Sequence, residues 1–214
     1  GLHQTAAGWT FREWAPNATR LVLVGEFSDW QEREEFALQP ITHGEWSVDL
    51  PRDALHHGQK YKLRVYWPGG DGWRLPSYTT YVVQDDESVD FSAVVWQPDE
   101  PYQWQHNIPP APNVPLIYEA HVGMSSEEEK VASFNEFTTD VLPRIKQSGY
   151  NTIQLMAIAE HPYYGSFGYH VSNFFAVSSR FGAPDDFKRL VDAAHGLGLR
   201  VIIDIVHAHA AKNE

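Results

Sequence analysis

The most chemically capable residues in this sequence stand together at the end of one apolar run. Val201, Ile202, Ile203, Ile205 and Val206 read as a strand buried on both faces of a parallel sheet, and Asp204, His207 and His209 sit at or just past its carboxyl end. In α/β barrels and open parallel sheets that end carries the active site. A carboxylate and neutral imidazoles suit two chemistries: hydrogen bonding to a hydroxyl-rich ligand, or, through His207-Ala-His209, metal ligation of the barrel-metallohydrolase kind. In those metallohydrolases the pair closes the first strand, whereas two βα units precede it here, which argues against a metal. A second candidate region is 161–175, which reads as a long aromatic loop, with Tyr163, Tyr164, Phe167 and Tyr169 beside His170.

Positioning such groups requires strands and crossovers, and the preceding hundred residues supply them. Residues 116–122 and 151–156 read as strands; 133–148 reads as a helix with Phe134, Phe137, Val141, Leu142 and Ile145 on one face. Ser133 and Glu136 form a capping box, Gly149 supplies the stop, and Pro143 predicts a kink or irregular turn. A second helix opens at Pro184 with Asp185 and Asp186 in its first turn, where the macrodipole favours them, although Ala183 stands at the cap position. The order β-α-β-α-β implies right-handed crossovers in one parallel sheet. Glu119, Asp140, Asp185, Asp186 and Asp192 fall on a first strand or on helix surfaces, so none is taken as catalytic.

Residues 1–97 have a different texture, with short alternating runs between turn residues, as in an antiparallel sandwich. In 60–67, Tyr61, Leu63, Val65 and Trp67 face one way and Lys60, Lys62 and Arg64 the other; the glycine-rich turn that follows leads into Trp73. Six of the eight tryptophans lie in this region. Trp14, Trp30 and Trp46 are expected in the core, and Trp67 and Trp73, flanking the exposed turn, are the candidates for contact with the apolar face of a sugar ring. Residues 98–115, with prolines at 98, 101, 109, 110, 112 and 115, read as a stiff connector pinned by Tyr102 and Trp104; 116–214 form the third segment.

Composition narrows the partners. The net charge of −12 opposes binding to nucleic acid or an anionic membrane and is indifferent to a neutral sugar. There is no cysteine, hence no disulfide or thiolate metal site, which suits a cytoplasmic setting. No run approaches the ~20 apolar residues of a membrane helix. The first residues have no signal-peptide character and read as a boundary inside a longer protein.

Six blocks in order, Ile117-Tyr-Glu-Ala-His-Val-Gly-Met124, Val141-Leu-Pro-Arg-Ile145, Tyr150-Asn-Thr-Ile-Gln-Leu-Met-Ala157, Ser166-Phe-Gly-Tyr-His-Val171, Asn173-Phe-Phe-Ala-Val-Ser-Ser-Arg180 and Asp204-Ile-Val-His-Ala-His209, together with Phe11-Arg-Glu-Trp-Ala-Pro16 and Gly25-Glu-Phe-Ser-Asp-Trp30, resemble the 1,4-α-glucan branching enzymes of the α-amylase superfamily. That resemblance implies an immunoglobulin-like all-β sandwich of the glucan-binding-module type, followed by the first three β/α units of a (β/α)8 TIM barrel. It places Tyr169 as the stacking tyrosine and His209 as a hydrogen-bonding partner in the sugar subsite next to the scissile bond, with Asp204 organising the site floor and His170 beside them. It implies an α-1,4-glucan substrate, no cofactor, and no calcium, since Ala208 replaces the asparagine that ligates that ion in calcium-binding amylases. The catalytic carboxylates of the family map beyond Glu214, so the chain alone is expected to be inactive and, with an incomplete barrel, to self-associate. A debranching or trehalose-forming relative shares the same subsite, and a non-catalytic glucan-binding module is the remaining alternative.

Overall fold

The computed structural model describes residues 1–85 and 87–211, which fall into two compact units, Gly1–Pro101 and Tyr102–Ala211. The first unit holds strands β1 Leu2–Thr5, β2 Gly8–Trp14, β3 Arg20–Gly25, β4 Gln39–Pro40, β5 Glu45–Leu50, β6 Lys60–Trp67, β7 Gly70–Arg74, β8 Val82–Gln84 and β9 Phe91–Val94. They make two antiparallel sheets, β1-β2-β5-β4 and β3-β6-β9-β8, with β7 also paired to β6. Inward residues of both sheets, among them Phe11, Leu23, Val48 and Leu63, form one core, so the unit is a sandwich.

The period of two explains which tryptophans that core takes. In β2, Trp9, Phe11 and Glu13 point inward and are buried, so Trp14 shares the outward parity of Arg12 and is 59% exposed. Trp46 is buried, as expected from sequence. Trp30 is not: it follows Asp29 in a left-handed turn (φ 54° and 58°) that turns the ring toward solvent, leaving it 39% exposed.

The second unit contains β10 Ile117–Ala120, α1 Phe134–Glu136, α2 Leu142–Gln147, β11 Thr152–Leu155, β12 Ala159–Glu160, β13 Asn173–Val177, α3 Pro184–Gly196 and β14 Arg200–Ile203. β10, β11 and β14 form a parallel sheet in that order, with Ile117, Thr152 and Arg200 in register, as in consecutive barrel strands. Phe134, Phe137, Leu142, Ile145 and Leu190 from the helices pack on Ile153 and Leu155. The capping box forms: the Ser133 N–H donates to Glu136 Oε2 (2.9 Å) and the Glu136 N–H to Ser133 Oγ (3.1 Å). Pro143 leaves its mark one turn earlier, where residues Phe137–Val141 open into a π-helical turn between α1 and α2. A proline ring clashes with the carbonyl four residues back, and widening the turn relieves it. At α3, the Ala183 N–H donates to Asp186 Oδ2 (2.8 Å), so the third helical residue supplies the half of a capping box that alanine cannot.

Three expectations for the second unit's strands, loop and helix surface also need correcting. The strand at 200 ends at Ile203, and Ile202, Ile203 and Ile205 are 41%, 46% and 49% exposed. Together with Leu116, Ile117 and Tyr118 on the far edge, they line open flanks of a three-stranded sheet, where a strand of a closed barrel would be covered. The stretch 161–175 is not all loop: β12 and β13 pair antiparallel across it. Asp192 does not lie on a helix surface but is buried under the proline-rich segment. Its carboxylate accepts from the Tyr102 hydroxyl (2.9 Å), the Gln105 N–H (2.9 Å) and the His106 N–H (2.9 Å), and lies 3.0 Å from His106 Nδ1.

Residues from Tyr102 onward are thus strapped to α3 rather than left as a connector. Burial opposes the charge on Asp192, but hydrogen bonds from Gln105, Tyr102 and His106 outweigh it and hold its pKa at about 2, below the ordinary 3.8. With the folded-state pKa lowered, the strap's contribution is present above pH ~4 and is lost as pH falls toward 2. Asp192→Asn should cost about 1–3 kcal/mol and speed chymotryptic cleavage at Tyr102 and Trp104. Unchanged cleavage would show that the strap is held by other contacts.

Candidate functional site

The carboxyl ends of β10, β11 and β14 carry the polar groups of the second unit. Glu119 and Gln154 are paired in register, and the Gln154 amide donates to Glu119 Oε1 (2.9 Å). Beyond Ile203 the Asp204 N–H still bonds the Leu155 carbonyl (2.9 Å), which fixes Asp204 at the strand's end. Burial, and then the negative charges of Asp204 and Glu119, push the Tyr169 hydroxyl above its usual pKa of 10, so it is a neutral donor near two carboxylates. Geometry ties Tyr169 to the same strand ends: it stands two residues after Phe167, whose carbonyl oxygen lies 3.0 Å from Nε2 of His121, the residue just past β10.

The chain then folds back along the aromatic stretch. The His207 ring stacks on Phe174 (centroids 5.4 Å apart, 25° between planes), and the Ala211 N–H donates to the Val171 carbonyl (2.8 Å). Residues 207–211, which include His209, thus run beside the segment that carries Tyr169 and His170. His209 and His170 are exposed, and Tyr169 is half-buried. Among the described residues no group of three or more His, Cys, Asp or Glu side chains is gathered as a metal site, and His207, half of the alternative metal pair, is stacked on an aromatic ring.

A buried carboxylate closes the base of this aromatic stretch. Glu160 is wholly buried and accepts from the His161 N–H (2.9 Å), Ser178 Oγ (3.2 Å), the Ser179 N–H (2.8 Å), Ser179 Oγ (2.9 Å) and Arg180 (3.2 Å). Arg180 also donates to the His161 carbonyl (2.6 Å) and the Pro162 carbonyl (3.2 Å). Sequence reading missed this hub because Glu160 ends a strand of only two residues and its side-chain partners lie about twenty residues on.

The sandwich has its own candidate surface. Trp30 and Trp73, each 39% exposed, line a cavity of about 430 Å³ with Glu26, Lys62, Asp85 and Asp90. Lys62 and Asp90 lie 3.8 Å apart, and the Arg64 guanidinium sits over the Trp73 ring at 5.1 Å. Trp67 is not part of it. Trp73 pairs with Arg64 across the β6–β7 hairpin and takes the outward parity of Lys62 and Arg64, whereas Trp67 takes that of Tyr61 and Leu63 and lies across Gly70 and Gly72 under Arg74. The two tryptophans expected together are on opposite faces, and the partner of Trp73 is Trp30, whose outward turn depends on left-handed backbone that no periodicity signals.

Residues 1–85 match the family "Carbohydrate-binding module 48 (Isoamylase N-terminal domain)" and residues 136–214 match "Alpha amylase, catalytic domain". A 1,4-alpha-glucan-branching enzyme of Yarrowia lipolytica is 49% identical over 95% of this chain. By sequence, this chain is a relative of the 1,4-α-glucan-branching enzymes. The rice chloroplastic/amyloplastic branching enzyme is 46% identical over 100% of the chain. The chain spans only 31% and 27% of these two relatives' lengths. Among solved structures, a putative alpha amylase from Salmonella typhimurium superposes with a TM-score of 0.79 at 25% identity, over 96% of this chain and 32% of its own. The architecture is thus a carbohydrate-binding-module sandwich followed by part of an α-amylase barrel. Among the described residues no helix is long and apolar enough to cross a membrane.

Proposed function

We propose that this chain is the N-terminal part of a glucan branching enzyme that transfers an α-1,4-glucan segment to a glucose 6-hydroxyl with retention. The reading is carried by similarity to branching enzymes along 95–100% of the chain; Asp204, bonded through its N–H to the Leu155 carbonyl, and the turn that carries Tyr169, held at His121, both lie at the strand ends. In it Tyr169 stacks on the sugar at the scissile bond, His209 donates to a sugar hydroxyl, Asp204 orders the floor, and His170 borders the cleft. Retaining transfer needs two carboxyl groups about 5–5.5 Å apart, a nucleophile and an acid/base. Both belong to later barrel strands, so the 214 residues alone turn over no glucan. A cytoplasmic enzyme on soluble glycogen or amylose fits the acidic, cysteine-free composition. The test is product analysis on amylose with the complete enzyme: new α-1,6 linkages support the reading, whereas α-1,6 cleavage or reducing ends without branches assign it to a debranching or hydrolytic relative.

Glucan binding by the chain itself runs through Trp30 and Trp73, two exposed indoles on one open cavity, which suits the stacking of successive glucose rings. Trp30→Ala and Trp73→Ala should each remove most retardation in glycogen affinity gels, with Trp67→Ala close to wild type. Equal retardation of all three would move the site elsewhere.

The apolar flanks of the barrel part favour self-association of the chain, with Leu116, Ile117, Ile202, Ile203 and Ile205 exposed along two edges that pair with no other strand among the described residues. Sedimentation should show concentration-dependent dimers or larger species. A monomer at high concentration would contradict it.

A further inference from the structure

We infer that His121 is a positioning residue for Tyr169, acting through the turn that presents it. Residues 166–169 form a tight turn in which the Tyr169 N–H donates to the Ser166 carbonyl (3.1 Å) and both central residues are left-handed, Phe167 at φ 54°, ψ 28° and Gly168 at φ 86°. Those angles define a type I′ turn, which favours Asn, Asp or Gly at its first central position and penalises an aromatic residue. A strained conformation of this kind persists only where its surroundings hold it. Phe167 is also 43% exposed, so burial of its ring does not do so.

Two contacts do. Gly168 sits so close to Ala157 that a Cβ would collide with the Ala157 carbonyl oxygen, and Ala157 is itself left-handed at φ 37°. From the other side His121, the first residue past β10, places Nε2 3.0 Å from the Phe167 carbonyl oxygen. A carbonyl only accepts, so Nε2 carries the proton. Nδ1 is buried and has no hydrogen-bond partner among the described residues, the place of a lone pair rather than of an N–H, and the ring is fixed edge-on by Phe181 (5.7 Å, 84°) and Phe167 (6.1 Å, 88°). The end of the first barrel strand thus grips the one carbonyl that lies between the strained residue and the glycine, two positions before Tyr169. Loss of that bond lets Phe167 leave the left-handed region and swings Tyr169 away from Asp204 and Glu119.

The assignment of Tyr169 to sugar binding rests on the proposed function; its positioning by His121 does not, and the experiment separates them. With tyrosine labelled at Cζ with 13C, and the Tyr169 signal assigned by Tyr169→Phe, His121→Met should shift that signal. His121→Gln, which keeps a donor at the same reach, should leave it near the wild-type position. Long-range 15N–1H correlation on the wild-type chain should show His121 as the Nε2–H tautomer, a readout that stands even where His121→Met fails to fold. An unmoved Tyr169 signal in folded His121→Met, or an Nδ1–H tautomer, overturns the inference. In the complete enzyme His121→Met should lower kcat about 10²-fold, the scale of a 1 Å misplacement, with rescue by His121→Gln. A wild-type enzyme without branching activity would sink the functional reading while the labelled-tyrosine result still judged the role of His121.

Discussion

Glu160→Ala is expected to destabilise the Tyr102–Ala211 unit by about 3–5 kcal/mol, the cost of breaking a buried ion pair by removing one partner. The carboxylate is fully buried, and burial pushes its pKa up while the hydrogen bonds from Ser179 and His161 pull it back. Its removal leaves the Ser178 and Ser179 hydroxyls, two backbone N–H groups and the Arg180 guanidinium without their acceptor, in a place that water reaches poorly. Glu160→Gln should cost less than Ala but remain harmful, because one oxygen becomes a donor facing donors. Denaturant unfolding followed through two transitions is the measurement. The second unit's midpoint should drop and the sandwich's should stay. A midpoint within error of wild type for Glu160→Ala would show that the hub is not what closes the aromatic stretch.

How far the sequence reached differs by element, for physical reasons. The capping box at Ser133, the irregular turn ahead of Pro143, and the parallel order of the three strands all follow from local rules: a side-chain acceptor at fixed spacing, a missing N–H, and right-handed crossovers. Trp14 was misplaced although its parity in 8–14 was available, because an indole in an apolar run looks like core until the alternation is counted from Phe11. Trp30 and Phe167 depend on left-handed backbone, which side-chain patterns encode only through glycine, asparagine or aspartate. Glu160 and Asp192 act through partners some 20 and 90 residues away, and no window along the chain sees those. The exposed isoleucines of β14 are a different case: their composition is that of a strand covered on both faces, and only the number of strands beside them decides whether it is.

Tyr169→Ala in the complete enzyme should lower turnover on amylose by about 10²-fold, close to 2.7 kcal/mol in the barrier, with little change in thermal midpoint because the ring is half-buried. On the proposed reading the ring is the face a glucose stacks on, and its hydroxyl stays protonated through neutral pH, since burial and the charges of Asp204 and Glu119 raise its pKa further above 10. Two losses are therefore separable. Tyr169→Phe keeps the stacking face and removes the donor, so it should retain most of the activity if stacking dominates, as aromatic recognition of a sugar's apolar face requires. On the same reading His209→Ala removes a donor to the sugar and no stacking face, and should weaken binding of the donor glucan together with turnover. A Tyr169→Ala enzyme that branches amylose at the wild-type rate would refute the placement of Tyr169 against the sugar. The same rate loss in Tyr169→Phe as in Tyr169→Ala would instead transfer the role from the ring to the hydroxyl and its neighbours Asp204 and Glu119.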